Sequence, residues 1–209
     1  TWIDCAMSPS EPAPLVVVIS GPSGAGKDTV INAAMGLDRS LAKVATAKTR
    51  APRQGEVDGV HHVFLSEEEF QRWIAEDAFL EHVTSYGHRS GVPRAAVDDL
   101  LDQGRTVVLR TDVEGARTLK QKLDYPFLVF ITAPDIASLE RRLRSRDAES
   151  DEEMAARLAE AEAEMAEADW FDLVIVNHDD GHDRAARQLV DAINARRTQS
   201  AGANVTRKV

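Results

Sequence analysis

Seven consecutive residues, Gly21, Pro22, Ser23, Gly24, Ala25, Gly26 and Lys27, have the composition of a backbone cradle for phosphate. Glycines in such a loop let successive N–H groups turn toward one point. The helix that follows adds positive potential, and the closing lysine reaches the β- and γ-phosphates of a nucleotide. The position after the lysine, which in this pattern carries a hydroxyl for Mg²⁺, holds Asp28. A carboxylate there is a hard oxygen donor able to hold the metal directly or through water. It is equally an acid at a helix N-terminus, which the macrodipole favours. Thr29 offers a hydroxyl one residue further on.

A second group lies in KTRAPRQGEVDG, Lys48 to Gly59, where Arg50 and Arg53 flank a proline. Two guanidinium forks fixed three residues apart can grip one small anion, and Glu56 is close enough to pair with an arginine or accept from a ligand. Standing alone, the segment also reads as a solvated charged loop. A third basic run, RRLRSR at Arg141 to Arg146, offers either converging cations for phosphoryl transfer or ion pairs along a helix face.

These residues need a scaffold, and the pattern between them supplies one. Leu15 to Ser20 is a short apolar run rich in β-branched residues, as expected for a strand buried on both faces, and it leads directly into the glycine loop. Asp28 to Met35 reads as the helix after that loop. Ser66 followed by three glutamates predicts a capped helix reaching about Ile74. Val107 to Leu109, Phe127 to Thr132 and Leu173 to Asn177 read as further buried strands. Ser138 to Arg146, Asp151 to Ala168 and Arg184 to Arg197 read as helices. Strands alternating with helices predict an α/β fold around a parallel sheet.

The bulk properties narrow the partners. The 209 residues carry 25 Lys and Arg against 35 Asp and Glu, a formal charge of −10, which disfavours a nucleic acid polymer as ligand. Local arginines therefore point to a small acidic ligand. The single cysteine, Cys5, excludes an internal disulfide and a multi-cysteine zinc site, and suits a cytoplasmic setting. No apolar run approaches the ~20 residues of a membrane span. Thr1 to Ala6 lacks the basic start and apolar stretch of a secretory signal, and Met7 is a candidate start.

The motifs taken together resemble guanylate kinase over residues 15 to 197: GPSGAGK, TRAPRQGEVDG, FLEH at Phe79 to His82, DVEGA at Asp112 to Ala116, RRLRSR, and FDLVIVN ending at Asn177, in family order and spacing. The resemblance implies a P-loop three-layer fold with a core five-stranded parallel sheet. It implies a leader at 1–13, a kinase domain at 14–197 with an inserted nucleotide-monophosphate-binding lobe at 46–95 and a helical lid at 143–156, and a flexible tail at 198–209. It also implies ATP and GMP as partners, Mg²⁺ as cofactor, no membrane or nucleic acid partner, and a monomer or homo-oligomer.

Carried over position by position, the resemblance assigns residues 21 to 29 to ATP. It assigns Thr46, Arg50, Arg53, Glu56, His62, Glu81, Ser90 and Asp112 to GMP, with Asp28 and Asp112 also near Mg²⁺. Lys27, Arg142, Arg146 and Arg157 become the cations around the transferring phosphoryl group. Glu81 suits guanine because two carboxylate oxygens can accept from its N1–H and N2–H edge, a donor pair that adenine lacks. Four positions depart from the commonest pattern. His62 replaces a phosphate-binding tyrosine and could donate the same bond, more strongly if protonated. Ser90 replaces a second tyrosine, and Val92 a small hydroxyl residue. Arg110 reverses the charge of an aspartate found in many relatives.

The expected reaction is ATP-dependent phosphorylation of GMP and dGMP, a step of guanine nucleotide synthesis and recycling. A ribose 1,5-bisphosphate phosphokinase shares the fold and the Gly-Lys-Asp loop, but TRAPRQGE and FLEH argue against it. A non-catalytic guanylate-kinase-like binding module is opposed by the intact Lys27 and the lid arginines.

Overall fold

A computed structural model describes residues 14–53, 55–85, 87–144 and 151–202. The chain runs β1 (Val16–Ser20), α1 (Lys27–Leu37), β2 (Leu41–Lys43), β3 (Thr46–Lys48), β4 (His62–Phe64), α2 (Glu67–Ala75), β5 (Phe79–Ser85), β6 (His88–Pro93) and α3 (Arg94–Asp102). It continues through β7 (Thr106–Arg110), α4 (Val113–Lys122), β8 (Phe127–Thr132), α5 (Ile136–Arg144), α6 (Asp151–Ala166), a 3₁₀ turn at Ala168–Trp170, β9 (Leu173–Val176) and α7 (His182–Gly202). No helix among the described residues is long and apolar enough to cross a membrane.

The first sheet has the order β2-β7-β1-β8-β9 and all its pairings are parallel. Strand alternation divides its apolar side chains between two faces. Val17 and Ile19 of β1 pack with Val129 and Ile131 of β8 against α1, α5, α6 and α7. Val18, Leu128 and Phe130 point the other way, toward α3, α4 and the strands β5 and β6. A strand covered on both faces must be apolar at successive positions, which is why LVVVIS and FLVFIT carry no alternation. This gives three layers, with the ends of β1 and β7 side by side in the register Ile19 to Arg110.

A second sheet, in the order β4-β3-β6-β5, is built between Thr46 and Pro93. Its small apolar cluster is Ala47, Phe70 and Phe79, with the Phe70 and Phe79 rings stacked at 4.5 Å. Helix α2 closes it, and the serine cap read from SEEE is a full capping box. Ser66 Oγ accepts from Glu69 N at 3.1 Å while Ser66 N donates to the Glu69 carboxylate at 2.8 Å.

Two expectations change, and one strand of the expected five carries no sequence signal. The last core strand, β9, is an edge strand with Val174 and Val176 exposed, rather than a fully buried one. The fifth strand, β2, is too short at three residues to give a periodicity signal. Helix α7 continues past Arg197 to Gly202, so Thr198 to Gly202, expected in the tail, are helical, and 203–209 lie outside the described residues. Arg197 explains the extension: its buried guanidinium bonds Asp38 Oδ2 at 2.8 Å, Ser40 Oγ at 2.6 Å and Thr106 Oγ1 at 2.7 Å, docking this end of the helix on the core. The expected leader, 1–13, lies outside the described residues, as do 145–150 of the expected lid.

Candidate active site

The glycine loop joins β1 to α1 at the C-terminal edge of the first sheet. Gly21 has φ +136°, and a Cβ there would stand 1.9 Å from the Ile131 carbonyl oxygen, so only glycine fits. Gly26 caps α1 at φ +82°, where a Cβ would meet Asn177 Nδ2 at 2.5 Å. That amide donates to Ala25 O at 2.9 Å and ties the loop to the end of β9. The Lys27 ammonium is turned back into the loop, donating to Gly21 O and, at 2.9 Å, to Pro22 O. Burial, reinforced by the nearby Arg110 charge, lowers its pKa to about 8, which leaves it largely cationic at neutral pH.

Asp28 faces two cations. Lys43 Nζ lies 2.9 Å from Oδ1 and Arg110 Nε lies 3.3 Å from Oδ2. Although partial burial opposes ionisation, these cations hold its pKa below the ordinary value. Asp112, at the end of β7, caps α4 by accepting from Gly115 N with Oδ1 at 2.7 Å, which leaves Oδ2 uncommitted in that cap.

From the loop a cavity of about 490 Å³ opens between the two sheets. Its lining includes Lys27, Lys43, Lys48, Arg53, Arg110 and Arg157 against the acids Glu81, Asp112, Glu160 and Glu164. The excess of cations in an acidic chain makes it a local anion site. On the second-sheet side, Thr46 and His62 share a hydrogen bond of 3.0 Å, and Lys48 donates to Ser90 at 3.4 Å. Burial and the Lys48 charge lower the His62 pKa to about 4, so its imidazole is neutral at pH 7 and its 3.6 Å approach to Glu56 is not an ion pair. The stronger donation expected of a protonated His62 is therefore absent near neutrality.

Arg50 and Glu56 form a fork, with Nη1 to Oε2 at 2.6 Å and Nη2 to Oε1 at 2.7 Å, and Arg53 N adds a 2.7 Å bond to Oε2. The Arg50 bonds, followed by the Arg53 amide, hold the Glu56 pKa down to about 2. Neither Arg50 nor Glu56 lines the cavity, whereas Arg53, Thr46, His62 and Ser90 do. Glu81 is buried, 5% exposed, and its carboxyl opens into the same cavity. Burial, with the Asp112 charge behind it, raises its pKa to about 7. Val92 closes the wall beside it.

Helix α6 lines the opposite wall. Arg157 reaches Ser23 Oγ at 3.3 Å, and the Glu164 carboxylate accepts from the Ser23 backbone N–H and neighbours Lys27. Arg142 is placed differently from the expectation of a cavity residue. Its guanidinium bonds Asp179 Oδ1 at 2.8 Å, Asn177 O at 2.7 Å and Ala25 O at 3.4 Å, outside the lining. Arg146 lies outside the described residues.

Sequence reasoning missed Lys43, Lys48, Glu160 and Glu164. The two glutamates were legible: Arg157, Glu160 and Glu164 follow the three-then-four spacing of one helix face. Lys43 carries no local signal, because its partner Asp28 lies fifteen residues away in the chain.

Comparison with known proteins agrees with this geometry. The guanylate kinase family model matches residues 14–196. Among curated relatives, the guanylate kinase of Rubrobacter xylanophilus is 42% identical over 176 residues, covering 84% of this chain and 91% of the relative. That of Synechocystis sp. is 40% identical over 178 residues, covering 85% and 92%. Among solved structures, guanylate kinase from Anaplasma phagocytophilum superimposes with a TM-score of 0.71 at 28% identity, over 90% of this chain and 88% of that one.

Proposed function

The chain belongs to the guanylate kinase family, and we propose that its cavity carries out that family's reaction with the residues described above. The enzyme transfers the γ-phosphoryl group of ATP to GMP or dGMP. An oxygen of the acceptor phosphate bonds to the γ-phosphorus while the bond to the β-phosphate bridging oxygen breaks, yielding ADP and the nucleoside diphosphate. Such a reaction asks the protein for alignment and charge neutralisation rather than for a nucleophile.

The observation that carries this reading is one cavity joining the glycine loop and Lys27 to a buried carboxylate, Glu81, at its far wall. The loop N–H groups and Lys27 hold the ATP phosphates, and Arg157 steadies the transferring group from α6. Arg53, with Thr46, His62 and Ser90, receives the acceptor phosphate, while the Arg50–Glu56 fork fixes the loop that presents Arg53. Ionised Glu81 accepts from the guanine N–H edge. Arg142 braces the loop through Ala25 and Asn177.

Mg²⁺ fits this donor set in a restricted way. Among the described residues no group of three or more acidic, histidine or cysteine side chains forms a metal cage. Mg²⁺ in kinase sites needs none, because one or two carboxylates, substrate phosphates and water complete its octahedron. The free Oδ2 of Asp112 suits that role. The ion supplies charge neutralisation at the phosphates. We place the work of the enzyme in the cytoplasm, with ATP and GMP as its partners.

A coupled assay with GMP, dGMP, AMP, UMP and ribose 1,5-bisphosphate as acceptors tests the reading. GMP and dGMP should turn over, and Lys27→Met should lower kcat by about a thousandfold. Turnover confined to ribose bisphosphate, or turnover with no acceptor, would overturn it.

A further inference from the structure

Arg110 ends β7 in register with Ile19, immediately before the residues that enter the glycine loop. Its side chain lies on the cavity wall, 45% exposed, and meets one described protein group, Asp28, at 3.3 Å through Nε. No described residue accepts a hydrogen bond from its terminal nitrogens, which therefore remain available to a ligand in the cavity. Burial is the main cause of the lowered proton affinity of Lys27 and Lys48, and the charge of Arg110 adds to it at both, on the donor loop and on the acceptor sheet, which line the same cavity as Arg110. Three cations lining one cavity repel one another. A multiply charged anion lying among them relieves that repulsion.

Asp28 occupies the helix position that in phosphate loops carries a metal-binding hydroxyl. Here Oδ1 is held by Lys43 and Oδ2 faces Arg110, so each oxygen is already turned toward a cation. The Nε contact with Asp28 is an ion pair that draws this side of the guanidinium to the carboxylate and leaves its far end outside the pair, as a phosphate-binding fork requires.

We propose that Arg110 is a catalytic residue of this enzyme, meeting nucleotide phosphate oxygens where donor and acceptor adjoin, and that Asp28 is its positioning residue rather than a ligand of Mg²⁺. The assignment rests on the guanylate kinase reading of the cavity and adds to it a cation and a role for the carboxylate.

The test uses the full chain with Arg110→Met, Arg110→Lys and Asp28→Ser, read as kcat and KM for each substrate, Mg²⁺ half-saturation, calorimetric ADP binding with and without Mg²⁺, and melting temperature. Arg110→Met should lower kcat by about a hundredfold, and Arg110→Lys should recover about tenfold of it. Melting temperatures should stay within about 2 °C of wild type, because the ion pair is exposed. Asp28→Ser removes the contact with Arg110 yet restores a metal-binding hydroxyl. It should lower kcat about tenfold while Mg²⁺ half-saturation and Mg²⁺-dependent ADP affinity change less than twofold. Arg110→Met turning over within threefold of wild type would overturn the proposal. So would a loss that Arg110→Lys does not relieve, full activity in Asp28→Ser, or a tenfold shift in its Mg²⁺ requirement. Failure of the wild type to phosphorylate GMP would instead refute the underlying reading, so the two failures are distinguishable.

Discussion

Replacing Glu81 by glutamine should stabilise the free protein while impairing its catalysis. The carboxyl is 5% exposed, and burial followed by the Asp112 charge raises its pKa from 4.5 to about 7. A raised carboxylate pKa means that the folded state holds the proton more tightly than the unfolded chain does. Stability is therefore intact below pH 4.5 and declines as pH climbs toward 7. At about 1.4 kcal/mol per tenfold change in proton affinity, the full difference is about 3 kcal/mol, an upper figure because the cavity admits solvent. Glutamine carries no charge at any pH and escapes this loss. Urea unfolding at pH 5 and pH 8 should show wild type and Glu81→Gln close together at the lower pH. At the higher pH the variant should be more stable by up to about 3 kcal/mol, or several degrees in melting temperature. In kinetics, the variant turns one acceptor oxygen into a donor facing guanine N–H groups, so KM for GMP should rise and kcat/KM should fall. For wild type, kcat/KM for GMP should also decline below pH 7 as Glu81 protonates, and the variant should lack that limb. An equal stability gap at both pH values would refute the reasoning.

Three other perturbations probe separate parts of the molecule. Glu56→Gln releases the Arg50 fork, and KM for GMP should rise about tenfold while KM for ATP stays within twofold; because the Glu56 pKa lies near 2, the wild-type rate should show no ionisation of this residue between pH 4 and 9. Equal shifts in both KM values would show that the fork does not serve the acceptor alone. Gly21→Ala forces a Cβ to 1.9 Å from Ile131 O in a positive-φ backbone, and should abolish calorimetrically measured ATP binding and cost about 3 kcal/mol or more in urea unfolding. Arg197→Met removes a buried guanidinium and strands the half-buried Asp38 it pairs with, away from the cavity lining, and should cost about 3 kcal/mol in unfolding while leaving kcat unchanged at a temperature where the variant is folded.

The parts of the fold that were legible in sequence are those whose physics is local. Apolar runs covered on both faces announced β1 and β8, and Ser66 with Glu69 announced the start of α2. The glycine loop was readable because Gly21, Gly24 and Gly26 each answer a local demand for positive φ, although the approaches of Gly21 to Ile131 and of Gly26 to Asn177 come from distant segments. The remainder depends on contacts between distant segments. Asp28 could be read as a metal ligand or a helix acid until the fold brought it to Lys43 and to Arg110, eighty-two residues further on. His62 read as a hydrogen-bond donor of either charge, and its neutrality comes from burial and from Lys48 on the neighbouring strand of the second sheet. The exposure of β9 reflects its place at the sheet edge, which its own apolar composition does not disclose.

The second sheet leaves the core after β2 and returns to it at α3, so the chain crosses between the two parts only at residues 44–45 and 93–94. The residues proposed to receive the acceptor, from Thr46 to Ser90, lie within that excursion apart from Arg110 and Asp112 at the end of β7, while the glycine loop and Lys27 lie outside it. On the proposed assignment, most of the choice of acceptor and the use of ATP are thus written in separable stretches of polypeptide. Such an arrangement is evolvable: exchange of one continuous segment could redirect the enzyme to another phosphorylated acceptor while the energy-coupling machinery is inherited intact.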